Sequence, residues 1–137
     1  MLDLTIDEAK LICTLLTAKG VPARTLQELI ADWENFVDKV ERGYRLTIYD
    51  YSNELGTRNL LEDVSRTVSP ELSHRINTAL KNGDDRFTLA TVAFPRGVVP
   101  RRQANPDRWW CFRKPRVIDG ELKEDFLELE SADDNPR

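Results

Sequence analysis

Asp107-Arg108-Trp109-Trp110-Cys111-Phe112-Arg113-Lys114-Pro115-Arg116 is the stretch around which the rest of the 137-residue chain is read. It holds two of the three tryptophans and four of the twenty Lys/Arg residues. Adjacent tryptophans on a strand point to opposite faces, so one indole anchors the core while the other stays near the surface. A strand over 108–114, with Pro115 marking an edge, needs a partner. The run from Arg86 to Phe94 (RFTLATVAF), β-branched and aromatic with no interior Gly or Pro, supplies one. A helix continuing through it from Asp84-Asp85 is the competing reading. Between the two runs, Pro95, Gly97, Pro100 and Pro106 make 95–107 a loop, long for a compact domain and so a place to look for function.

Outward from this sheet the chain is helical. Thr5 with Glu8 is a capping box, and Gly20 then Pro22 close the first helix. Its apolar positions (Ile6, Ala9, Ile12, Cys13, Leu16, widened by Leu11 and Leu15) imply a largely buried helix. A second box, Thr25 with Glu28, opens the clearest helix. Leu26, Leu29, Ile30, Trp33, Phe36, Val37 and Val40 recur at helical spacing, and Gly43 caps its end. Its outer face, Asp32, Glu34, Asp38 and Glu41, is acidic.

Tyr44 to Tyr49 alternates like a strand. The longer pattern Asp50, Glu54, Arg58, Glu62, Arg66, one charge every four residues, instead predicts a helix from about Ile48 to Thr67, bent near Gly56. Ser69-Pro70 starts a further helix, whose stripe Leu72, Ile76, Ala79, Leu80 is ended by Gly83. Asp119-Gly120 is a turn, and Leu122, Phe126 and Leu129 suggest a closing helical turn, a third strand being the alternative. The expectation is an α+β fold, four or five helices packed with a small antiparallel sheet. It forms one domain over 1–130, with a frayed acidic tail over 131–137. Trp33, Phe36, Ile76, Phe87 and one of Trp109/Trp110 should share the core.

Length and composition suit one globular domain that buries about two-thirds of its unfolded surface. No run approaches the roughly 18 apolar residues of a membrane span, and the start, MLDLTIDEAK, is acidic, unlike a signal peptide. Cys13 and Cys111 sit in apolar patterns and read as buried free thiols of a cytoplasmic protein. The net charge of -4 hides a polarity. Residues 96–116 carry seven Lys/Arg against one Asp, and 117–137 two against eight Asp/Glu.

Chemistry is thinly signalled. The single histidine, His74, lies off its helix's apolar stripe, and there is no Cys-x-x-Cys and no phosphate-loop glycine pattern. No catalytic residue, cofactor or metal ligand is assigned, and the chain is read as a non-enzyme. The charges of 50–66 read most simply as a solvent-facing salt-bridge ladder. A small hydrolase using clustered carboxylates would need two of Asp50, Glu54, Glu62 and His74 in one cleft.

In the basic segment, Arg96, Arg101, Arg102, Arg108, Arg113, Lys114 and Arg116 interleave with Trp109, Trp110 and Phe112. Single-stranded nucleic acid binders use that combination, so a nucleic-acid-binding accessory role through 96–116 is one alternative. Against it stand the acidic balance and the carboxylates Asp119, Glu121, Glu124 and Asp125, placed to fold onto the arginines.

The segments YDYSNELGTRNLLEDV (49–64), DDRFTLAT (84–91) and DRWWCFRKPR (107–116) resemble small bacterial proteins of the toxin-immunity type. In these a Tyr-x-Asn-Glu/Asp-Leu…Arg-x-Leu-Leu-Glu segment precedes a Trp-Trp-x-x-Arg strand. The resemblance spans residues 49–116 and implies a protein partner, a toxin that the chain binds and occludes. Asp50, Glu54, Arg58, Glu62, Arg101, Arg102, Arg108, Trp109 and Arg113 are the candidate partner-binding residues. No membrane partner is expected, and the patterns do not fix an oligomeric state.

Overall fold

The computed structural model describes residues 2–98, 105–118 and 120–133. Among them are five α-helices, α1 Ile6–Ala18, α2 Leu26–Arg42, α3 Ile48–Thr67, α4 Pro70–Ala90 and α5 Gly120–Asp133. Two short strands, β1 Thr91–Ala93 and β2 Arg113–Pro115, and a 3-10 turn over Trp109–Phe112 complete the described elements. The fold is α+β: helices packed with a two-stranded antiparallel sheet.

The helix starts follow their local chemistry. The Thr5/Glu8 and Thr25/Glu28 boxes both close, each threonine accepting from the glutamate N–H and each glutamate accepting from the threonine N–H. Thr47 and Asp50 make a third box at the start of α3, and Ser69 caps α4 with Pro70 in its first turn. Such caps satisfy donors that a helix start otherwise leaves open. Gly43 ends α2 at φ 100°, a conformation other residues rarely adopt.

All seven apolar positions of α2 are buried. Trp33, Phe36, Phe87, Tyr44 and Tyr51 form an aromatic cluster with ring centroids 5.1–6.0 Å apart. Each such side chain contributes about 1.5–3 kcal/mol by leaving water. Ile76 and Trp110 join this core, and Trp109 packs on it half-buried.

Several expectations are corrected. The run 86–94 is not a strand: α4 continues to Ala90, and only Thr91–Ala93 pair, Thr91 opposite Pro115 and Ala93 opposite Arg113. Leu72, Ile76, Leu80, Gly83 and Phe87 are all buried at helical spacing, and that packing overrides the local β preference of 86–94. Gly83 does not end α4. It lies mid-helix because Trp33 packs there; a Cβ at Gly83 would stand 3.0 Å from Trp33 Cδ1 and Nε1. Of 108–114 only Arg113 and Lys114 are strand, paired with β1 as expected, since Trp109–Phe112 coil into the 3-10 turn, closed by Cys111 N donating to Arg108 O at 3.0 Å.

Helix α1 is peripheral rather than buried. Ile12 and Leu16 face inward, while Ile6, Leu11 and Cys13 are exposed. Cys111 is buried as expected. α3 runs unbroken through Gly56. The closing turn is a full helix, α5, that continues to Asp133; residues 134–137 lie outside the described residues. Among the described residues, no helix is long and apolar enough to cross a membrane.

Candidate functional site

The basic segment is held down first by backbone. Tyr51 of α3 donates its hydroxyl to Arg113 O (2.9 Å) and Ser52 donates to Val98 O (3.0 Å). Phe94 N donates to Phe112 O (2.7 Å) and Val98 N to Cys111 O (2.9 Å), extending the contact beyond β1 and β2. Gly97, at φ 84°, lets the Phe112 ring approach; a Cβ there would stand 3.1 Å from Phe112 Cε1.

On that scaffold Arg58 becomes the centre of an ionic clamp. The helical spacing that suggested a solvated ladder instead turns this arginine inward, leaving it 4% exposed. Its Nε donates to Asp84 Oδ1 and its Nη2 to Asp84 Oδ2, both at 2.9 Å, while Nη1 reaches Glu62 Oε1 at 3.2 Å. The guanidinium carbon lies 4.2 Å from the Trp110 ring centroid, a cation–π stack. Asp84 Oδ1 also accepts from Trp33 Nε1 at 3.0 Å. A buried cation is tolerated only when paired and fully hydrogen-bonded, and α4 supplies that partner.

The clamp extends along α3. Trp110 Nε1 donates to Asn59 Oδ1 (2.7 Å), Arg108 Nη1 to Asn59 O (3.0 Å) and Arg108 Nη2 to Asp63 Oδ1 (2.5 Å). Lys19 Nζ lies 3.5 Å from Asp63 Oδ2. Arg66 Nε donates to Glu62 Oε2 (2.7 Å), and its Nη1 lies 3.8 Å from Asp107. Burial pushes the Glu62 carboxyl up, but the hydrogen bonds and charges of Arg66 and Arg58 outweigh it and hold Glu62 below the usual range. Burial pushes the Cys111 thiol up to about 11, against the nearby Arg108 charge.

Of the residues picked out from sequence, Arg58, Glu62, Arg108 and Trp109 come together here. The others do not. Asp50 caps α3, and Glu54 pairs with Lys39 at 3.0 Å and accepts from the Tyr44 hydroxyl. Arg113 sits at the other end of α4. Its Nε donates to Thr91 Oγ1 (2.6 Å) and its Nη2 to Thr88 O (3.1 Å) and Thr91 O (3.0 Å). Arg116 Nε adds Leu89 O (2.9 Å), so two guanidinium groups serve the electron-rich end of α4. Arg101 and Arg102 lie outside the described residues.

The acidic C-terminal region folds onto the basic segment at Lys114, which pairs with Glu130 at 2.5 Å. Arg108, Arg113 and Arg116 turn instead to α3 and α4. The acidic face of α2 is likewise engaged: Arg86 binds Asp38 and Glu41, Arg24 binds Asp32, and Asn82 donates to Glu34. Asp84, Asn59, Asp63 and Trp33 are clamp residues that sequence reasoning left out. Asp84 carried only the signal of an acid beside a run of helical spacing.

His74 lies apart, in a hollow of about 540 Å³ lined by Leu2, Asp3, His74, Arg75, Thr78 and Ala79. None of Asp50, Glu54 and Glu62 is in that hollow. Among the described residues, no three His, Cys, Asp or Glu side chains group so as to hold a metal ion. No protein-family model, curated protein or solved structure matches the chain.

Proposed function

We propose that the chain is a non-enzymatic partner-binding protein of the toxin-immunity type, which acts in the cytoplasm by docking on a toxin and covering its active site. The observation that carries this reading is Trp109. The indole is half-buried, wedged between Trp110 (centroids 5.6 Å apart) and Phe87 (6.1 Å). It stands on a base whose ionic groups are already paired, with the half-exposed charges of Lys19, Arg66 and Asp107 nearby. Tryptophan and arginine on a rigid, preorganised base are what protein-binding hot spots are made of. The resemblance of segments 49–64 and 107–116 to immunity proteins points the same way.

Co-expression with the product of the adjacent gene tests the reading. Co-purification and protected growth are expected, and Trp109→Ala should lose both while remaining folded. Growth inhibition that persists despite co-expression counts against it. Titration with labelled single-stranded RNA separates the nucleic-acid alternative, which requires affinity that falls steeply with salt.

A further inference from the structure

The end of α2, the loop after it and the approach to α5 meet along a seam the clamp does not use. Tyr44 forms a parallel bridge with Ile118, and a Cβ on Gly43 would stand 3.1 Å from Val117 Cγ1, so 43–44 and 117–118 run side by side. Asp125 Oδ2 accepts from Ile48 N at 2.9 Å, which lays α5 against the start of α3.

To one side of this seam is a groove of about 420 Å³ lined by Lys39, Arg42, Gly43, Tyr44, Arg45 and Leu46. Its charged lining is cationic. Lys39 and Arg42 lean on Glu54 and Asp38, while Arg45 is exposed and has no ion pair among the described residues. Past Ile118, α5 turns Glu121, Glu124 and Glu128 to solvent at i, i+3 and i+7, with Lys123 the cation beside them. These three carboxylates also have no ion pair among the described residues. Tyr49, next to the Ile48 that Asp125 holds, stands 84% exposed, and Leu46 and Val117 are exposed within two residues of the Tyr44–Ile118 bridge.

A strip with an apolar centre and opposite charges on its two flanks is self-complementary under two-fold rotation. The cationic flank of one copy meets the acidic flank of the other, and apolar centre meets apolar centre. We propose that this seam is the contact face of a symmetric dimer, its occupant a second copy of the chain, with Arg45 of each copy facing the α5 carboxylates of the other. Tyrosine and arginine are the residues such a contact relies on, and the charges fix its orientation. The seam uses none of the residues around Trp109, so the dimer and the toxin-binding reading stand or fall separately.

Sedimentation equilibrium of the full chain at about 100 μM, well above a micromolar dissociation constant, tests it. The mass should be twice the 15.8 kDa of one chain at low salt. It should fall as salt approaches about 1 M, where screening acts within about 3 Å. R45E and E124R, both at exposed positions, should each weaken the dimer about tenfold or more. An equimolar mixture of the two variants should regain it, because both cross-contacts then join opposite charges. A monomer at low salt overturns the proposal. So does a dimer indifferent to R45E, E124R and Tyr49→Ala, or a mixture that fails to recover.

Discussion

Arg58 and Asp84 meet as a fork across α3 and α4, two hydrogen bonds of 2.9 Å each, with the guanidinium stacked on Trp110 and the carboxylate also accepting from Trp33. The pair therefore joins three helices and the Trp109–Phe112 turn through one buried contact. Burying two charges is costly, and their attraction offsets that cost only when the geometry is this complete. A pair of this kind does more to specify one arrangement of α2, α3, α4 and the basic segment than to raise total stability. Arg58 is thereby part of the base beneath Trp109, the residue on which the proposed partner contact rests.

The glycines inside α3 and α4 should respond oppositely to alanine. Nothing lies within 4 Å of a Cβ at Gly56, so Gly56→Ala removes unfolded-chain entropy and should stabilise by about 0.5–1 kcal/mol. At Gly83 the new methyl meets the fully buried Trp33 ring at 3.0 Å. The same propensity gain is then outweighed by overpacking of about 1–3 kcal/mol. Urea midpoints with unchanged slopes should move up for the first variant and down for the second.

Acid should weaken the clamp through Glu62. Its folded pKa is depressed relative to an unfolded glutamate at about 4.3. Its contribution is therefore complete above the unfolded value and is lost as pH falls through the folded one. Glu62→Gln should be destabilised at neutral pH, and its thermal midpoint should converge on that of the parent between about pH 5 and pH 3. Parallel curves across that range would show that Glu62 is not coupled to Arg58 and Arg66.

The cysteines should separate by reactivity. Cys13 is exposed on α1, whereas Cys111 is buried with its thiol pushed up to about 11, and the thiolate is the reacting species. A maleimide should label the native protein at Cys13 alone and reach Cys111 only in denaturant; the Cys13→Ser variant should stay unlabelled while native.

Arg113 should matter as a fork rather than as a charge. Arg113→Ala removes three hydrogen bonds from the end of α4 and should cost about 1.5–3 kcal/mol in urea unfolding. Arg113→Lys keeps the charge but offers no planar fork, so it should recover only part of that loss.

What the sequence made legible was local. The Thr25/Glu28 box and the stripe from Leu26 to Val40 describe α2 completely, because capping and helical period act within a few residues. The start of α3 near Ile48 was read from its charge spacing, while the Thr47–Asp50 box that caps it was not singled out. The extent of α4 was hidden because Gly83 carries the local sign of a stop. Its real reason is Trp33, fifty residues earlier in the chain. The direction of Arg58 was hidden for the same kind of reason. A charge every four residues describes a solvated ladder and an inward-facing arginine equally well, and the choice depends on Asp84 and Trp110. Of the candidate site, the arginines and indoles were visible as types. Which of them face outward was not, since their partners are helix carbonyls and carboxylates of α3 and α4 with no motif of their own.

The central claim is that the cation beside the twin indoles is an internal clamp, and a double-mutant cycle in urea on Arg58→Met and Asp84→Asn tests it most directly. Each single variant should lose about 3–5 kcal/mol by stranding a buried charge or its partners. The double variant should lose about 2–3 kcal/mol less than the sum of the two single losses, that difference being the coupling. Single losses below about 1 kcal/mol, as at an exposed pair, or losses that simply add, would contradict it.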